Sequence, residues 1–275
     1  MDLYTSTAYQ LARQLTERYS TSFSASSRLF TPPLRRHIYA IYGLVRIADE
    51  IVDTYKGTDA AQHLDALERS TYDALHSSYS TNPLIHAFAA TARAYGIDQA
   101  LIAPFFESMR IDLSPQTYTP ELYEQYIFGS AEVVGLMCLK VFVDGDDAAY
   151  RRLEPGAKAL GSAYQKVNFL RDCASDFHEL GRLYFPGVDF ATFSEEQKKA
   201  IVADIRSDFA EARTAIQALP VSCKKAVTLS YTYYLALLDR LERTSVKDLT
   251  SRRIRVSNIQ KTFLYICVKA GASTV

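Results

Sequence analysis

Apolar residues recur at three- and four-residue steps from Tyr9 almost to the end of the chain, while the strict alternation of a half-buried strand is nearly absent. That period places apolar side chains along one stripe of an α-helix, so the pattern predicts an all-α fold. Helix starts are legible at Asn82-Pro83 and Thr119-Pro120, where a capping residue precedes a proline at the first helical position. Ser194 and Gln197 have the spacing of a capping box. The expected helices run over 3–19, 33–55, 60–79, 83–95, 98–111, 120–142, 147–178, 195–217, 222–243 and 256–270. No low-complexity linker or short repeat interrupts them, so residues 1–275 are expected to form one domain, a helical bundle. The longest expected loop, 179–194, is rich in glycine, proline and aromatic residues and is a candidate lid.

Composition narrows the function classes. With 48% hydrophobic and 23% charged residues the chain has an ordinary globular balance. Lysine plus arginine equals aspartate plus glutamate at 31 each, so there is no global positive field to hold a polyanion, and nucleic acid is not an expected partner. The four cysteines, Cys138, Cys173, Cys223 and Cys267, form no C-x-x-C pair, and the five histidines form no H-x-x-x-H pair. Reduced, buried cysteines in a cytoplasmic protein are expected, and any metal should be held by oxygen. The first residues, Met1-Asp2-Leu3-Tyr4-Thr5, lack the basic and apolar regions of a secretory signal. The longest apolar stretch, 133–143, is broken by Lys140 and falls short of the roughly 20 residues a bilayer crossing needs, so no spanning segment is expected.

Two of the expected helices carry chemistry. In the run from Ile38 to Asp53, a rotation of about 100° per residue puts Tyr42, Arg46, Asp49 and Asp53 in a narrow arc of an otherwise apolar helix. Carboxylates one turn apart repel, and more strongly once desolvated, so positive charge must face them. The same grammar returns in the run from Tyr164 to Asp176, where Gln165, Asn168, Asp172 and Asp176 share a face. If the two helices confront each other across a bundle, they form an oxygen-rich cage suited to Mg²⁺.

From about Tyr19 to Lys261 the chain resembles the squalene/phytoene synthase family. Ile41 to Arg46 leading into Asp49-Glu50-Ile51-Val52-Asp53 resembles the family's first aspartate-rich motif, and Asn168-Phe169-Leu170-Arg171-Asp172 with Asp176 resembles its second. Thr21-Ser22-Phe23-Ser24, Tyr126 to Met137, and Gly181-Arg182-Leu183-Tyr184-Phe185-Pro186 are further, weaker likenesses. Ser175 departs from the pattern, since the family commonly has an acid there.

The resemblance implies a helical bundle of the isoprenoid synthase type with a central cavity, in which two prenyl diphosphates are joined head to head through a cyclopropyl diphosphate intermediate. It implies Mg²⁺, with Mn²⁺ as a substitute, held by Asp49, Asp53, Asn168, Asp172 and Asp176. Arg46 and Arg171 are the expected diphosphate contacts, because a guanidinium fork matches phosphate oxygens. The alternative for each is a salt bridge to a neighbouring aspartate. Cationic intermediates require a dry cavity with π faces, for which Phe23, Tyr42, Tyr126 and Tyr234 are the candidates. Ser22, Gln165, Asn168, Arg182 and Arg253 complete the expected substrate contacts.

Small residues after Phe23, Ser24-Ala25-Ser26-Ser27, leave room for twenty-carbon tails if that turn lines the cavity, which favours geranylgeranyl diphosphate and phytoene. By that reading Ser27→Phe should shift preference to shorter donors. A squalene or dehydrosqualene synthase using farnesyl diphosphate is the alternative, and NADPH would enter only for a squalene-forming enzyme. A non-catalytic scaffold of the same fold is the reading from another class. The segment 240–261 holds seven basic and two acidic residues, a feature suited to a solvated turn, substrate diphosphate or anionic lipid, and peripheral contact with the inner face of a membrane is expected at most.

Overall fold

The computed structural model describes residues 1–114, 118–180 (178–180 by backbone alone) and 184–271, and among these the chain is helical, with no strand. The helices are α1 Leu3–Tyr19, α2 Thr21–Ser27, α3 Pro32–Asp49, α4 Ala60–Ser77, α5 Pro83–Tyr95, α6 Gln99–Ile111, α7 Pro120–Ile127, α8 Val133–Val143, α9 Asp147–Leu180, α10 Glu195–Gln217, α11 Val221–Arg243, α12 Val246–Leu249 and α13 Asn258–Ala270. The capping signals act as expected. Asn82 and Thr119 accept from backbone N–H groups of the helices they open, and Ser194 with Gln197 forms a reciprocal capping box.

Two turns depart from the α pattern. Glu50–Thr54 continues α3 as a π turn, and Phe128–Glu132 joins α7 to α8 as another. A π turn spreads one extra residue over a turn and re-aims the side chains beyond it, and such turns concentrate at functional sites. Here Asp53 lies within the first of them.

Through the second, α7 and α8 form one apolar helical stretch, Pro120–Val143, whose 24 residues reach the length of a bilayer crossing. This is longer than the 133–143 stretch considered above, because α7 and the π turn extend it. Its side chains are half buried inside the bundle, and Tyr126, Ser130, Val134, Cys138 and Phe142 line an internal cavity. Its apolar character thus serves the interior, and Lys140 is accommodated over the Tyr150 ring at 4.4 Å.

One contiguous buried cluster draws on every helix from α3 to α12, with Phe88, Phe105, Phe106 and Phe209 among its largest members. The long α9 lies along α10 and α8, and α1 packs on α3 and α5. Close approach depends on glycine at two places. A Cβ on Gly129 would meet the Pro104 carbonyl oxygen at 2.2 Å, and one on Gly161 would meet the Ala131 carbonyl oxygen at 2.8 Å. These contacts press the second π turn against α6 and α9. All four cysteines are unpaired thiols; Cys173 and Cys223 are buried as expected, whereas Cys138 and Cys267 are only partly so.

Candidate active site

A cavity of about 690 Å³ runs between α2, α3, α8, α9 and α11. At its acidic end α3 and its π turn supply Tyr42, Arg46, Asp49 and Asp53, while α9 supplies Gln165, Asn168, Arg171, Asp172 and Asp176. The two helix faces that the periodicity picked out therefore confront one another across a single space. Phe30, Leu139, Phe142, Leu153, Ala157 and Leu219 form its apolar part.

The walls are balanced differently. Asp49 is pushed up to about 7 by burial, opposed by Arg46 and reinforced by Asp53, Asp112 and Glu50. Its side chain keeps 31% exposure, so the carboxylate stands in the cavity rather than sealed in the core. Arg46 must serve two acids, lying 3.7 Å from Asp49 and pairing closely with Glu50, and its guanidinium also covers the Tyr19 ring at 4.7 Å.

On the α9 wall two arginines serve one acid. Arg171 donates to Asp172 through Nε at 2.9 Å and Nη2 at 2.5 Å, and Arg253 adds Nε at 2.8 Å and Nη2 at 3.3 Å. Arg253 is pulled below its ordinary value by burial and by Arg171, and Lys261 likewise by burial, Arg171 and Arg255. Positive charge is thus crowded beside Asp172, where a polyanion would relieve it.

Aromatic rings wall the space between. Phe23 stacks on Tyr42 at 5.1 Å, Tyr164 on Tyr234 at 4.0 Å, and Phe169 on Tyr184 at 4.0 Å. Tyr234 donates to Asn168 Oδ1 at 3.3 Å, holding the amide toward the aspartates. Tyr126 donates to Asp112 Oδ2 at 2.6 Å, and Tyr184 donates to Asp112 Oδ1 at 3.5 Å. Burial, with Asp112 adding, pushes the Tyr126 phenol far above its ordinary range and keeps its proton on.

Of the residues expected from sequence, Asp49, Asp53, Asp172, Asp176, Arg46, Arg171, Tyr42, Tyr126, Phe23, Gln165, Asn168, Tyr234 and Arg253 all line this cavity. Ser22 does not; its hydroxyl accepts from Lys261 Nζ at 2.7 Å beside the arginine cluster. Arg182 lies outside the described residues. For both Arg46 and Arg171 the alternative geometry, a salt bridge to a neighbouring acid, is the one present. Sequence reading missed Asp112, a lone acid just beyond α6 with no partner at helical spacing to mark it. It also missed Tyr164 and Phe169, which sit among core aromatics of the same type.

Among the described residues no three His, Cys, Asp or Glu side chains converge closely enough to hold a metal by themselves. Mg²⁺ takes one or two carboxylates and completes its octahedron with water and phosphate oxygens, so it does not require such a cluster. The donor set is all oxygen, it faces a shared cavity from two sides, and Asp49 lacks sufficient positive charge. These residues fit divalent cations bound together with a diphosphate.

The squalene/phytoene synthase family model matches residues 16–260. The chain belongs to the squalene/phytoene synthase family. Among curated relatives it is 30% identical to the chloroplastic phytoene synthase of an Oncidium hybrid cultivar, over 98% of this chain and 69% of that protein. It is 29% identical to the 15-cis-phytoene synthase of a Synechocystis species, over 95% of this chain and 84% of the relative. Solved structures of the same fold include a dehydrosqualene synthase with a bound ligand, at a TM-score of 0.83 and 20% identity, aligned over 98% of each chain. Another is the squalene synthase HpnC from Alicyclobacillus acidocaldarius, at a TM-score of 0.76 and 22% identity, over 92% of this chain and 98% of that one. The isoprenoid synthase bundle expected from the sequence is therefore the fold of this family member.

Proposed function

We propose that this protein is a prenyltransferase that joins two geranylgeranyl diphosphates head to head to give phytoene in carotenoid biosynthesis. The observation that carries this reading is the pair of acidic walls facing one cavity whose remainder is apolar and aromatic. The phytoene synthases among its relatives, at about 30% identity, support the same substrate class. Mg²⁺ would be held by Asp49 and Asp53 on one side and by Asn168, Asp172 and Asp176 on the other. Bound there, it supplies Lewis-acid stabilisation of the charge that builds on a departing diphosphate.

The protein's own groups do the rest. Arg171 and Arg253 transfer their forks from Asp172 to diphosphate oxygens, a charge-assisted exchange that frees the carboxylate. Arg46 pairs with Glu50 along its own helix and ties the α3 wall to the Tyr19 ring of α1. Phe23, Tyr42, Tyr164 and Tyr234 present π faces that stabilise an allylic cation while excluding water. Tyr126 keeps its proton in the hydrogen bond to Asp112, so it presents a neutral ring to the cavity rather than a base.

Purified protein incubated with Mg²⁺ and labelled geranylgeranyl or farnesyl diphosphate tests this. Phytoene from the longer donor is the expected outcome. A thirty-carbon product would move the chain to the squalene or dehydrosqualene synthases, with NADPH required only for squalene. Recovery of both donors unchanged would leave a scaffold of this fold.

A further inference from the structure

The final helix, α13, has a face that none of the described residues covers. Its inner side, Leu264, Tyr265 and Val268, packs on Leu229 and Tyr233 of α11 and on Leu29. Ile259, Phe263 and Ile266 point the other way and are 85%, 64% and 59% exposed. At about 100° per residue these three, with exposed Ala270, fall within an arc of about 60°, a continuous apolar stripe opposite the buried one. Val221, at the adjoining start of α11, is also largely exposed, and Lys225 Nζ reaches the Lys269 carbonyl at 3.3 Å to hold the two ends together.

Charge points to the occupant. Beyond Asp248 the chain carries five basic residues, Arg252, Arg253, Arg255, Lys261 and Lys269, and no acidic one, although the chain as a whole is neutral. Arg253 and Lys261 reach Asp172 and Ser22, and Arg252 lies 3.4 Å from Asp248, which leaves exposed Arg255 before the stripe and exposed Lys269 in its last turn. An amphipathic helix with apolar side chains on one face, bordered by cations and free of acids, matches an anionic lipid surface. A second copy presenting the same face would bring these cations against each other.

Position agrees. α13 packs on α2, whose Phe23 and Ser26 line the cavity. We infer that the exposed face of α13 docks the protein on an anionic bilayer, placing the α2 side of the cavity next to the lipid. A route for a fully apolar product into the membrane follows if the proposed function holds; the docking itself rests on exposure and charge alone.

The chain has no tryptophan, so Phe263→Trp introduces a single indole reporter on the stripe. With no substrate present, adding vesicles of mixed phosphatidylglycerol and phosphatidylcholine should shift its emission to the blue, and added salt should weaken the binding. The double variant Phe263→Ser/Ile266→Ser should bind such vesicles about a hundredfold more weakly than the parent in co-sedimentation. Its turnover in detergent should be unchanged, because neither side chain lines the cavity. Unshifted Trp emission, equal sedimentation of parent and double variant, or a concentration-dependent dimer that Phe263→Ser dissolves would each overturn the docking.

Discussion

The α3 wall and the α9 wall carry the same Asp-x-x-x-Asp grammar and solve opposite electrostatic problems. On α3, one guanidinium is shared between Asp49 and Glu50, and Asp49 is driven up to about 7. On α9, Asp172 receives both Arg171 and Arg253. The first wall is short of positive charge and the second is crowded with it. Under the proposed function a divalent cation would answer the first wall directly, whereas the second would release its arginines to a diphosphate. The asymmetry suggests that cation and substrate complete the site together.

The sharpest way to break this comparison is to remove the carboxylates. Asp49→Ala and Asp172→Ala should each lower turnover by about a hundredfold or more, the scale seen when a preorganised electrostatic group at a reacting centre is lost. Circular dichroism should be unaltered in both, since both side chains face the cavity. Retained activity in either variant would remove that residue from the cation-holding set. Arg253→Gln should act more weakly, raising KM for the diphosphate about tenfold, equivalent to about 1.4 kcal/mol, with a smaller change in kcat. If kcat falls instead and KM stays put, Arg253 serves the departing group rather than initial binding.

A pH series sharpens the contrast further. Between the unfolded value near 3.8 and the folded value of about 7, native Asp49 holds a proton that the unfolded chain has already released. Deprotonation then costs the native form, so the metal-free protein should lose thermal stability as pH rises through that window. Asp49→Asn should flatten this loss, and Mg²⁺ should offset it in the parent by compensating the exposed charge. A pH-independent Tm for the metal-free parent between pH 5 and 8 would show that Arg46 already balances the α3 wall.

How much of this was legible in the sequence follows from what a 3.6-residue period can carry. It located the long helices, and both acidic faces with them, because each spans several turns of repeated pattern. It could not register α2 or α12, of seven and four residues, which are too short to establish a period. Nor could it see the two π turns, since one residue inserted into a turn leaves composition untouched. Asp112 escaped for a related reason: its importance comes from Tyr126 and Tyr184, which reach it from 14 and 72 positions away in the chain.

The short α2 yields the smallest and most particular expectation. Ser24 to Ser27 were small enough to suggest space for long tails, but a seven-residue helix does not say which of them faces that space. In the structure Ser26 lines the cavity near Phe23 and Phe30, while Ser27 is fully buried and absent from the cavity wall. Ser27→Phe would accordingly force a ring into packed core, where overpacking costs about 1–3 kcal/mol, and would report on stability rather than on donor length. Ser26→Phe is the informative change. It should narrow the cavity beside α2 and shift the ratio of kcat/KM for geranylgeranyl against farnesyl diphosphate several-fold toward the shorter donor, the range that a change of a few methylenes in an apolar pocket commands. A ratio unmoved by Ser26→Phe would place the limit on tail length elsewhere along the apolar wall, with Leu153, Leu219 and Phe142 the next residues to vary.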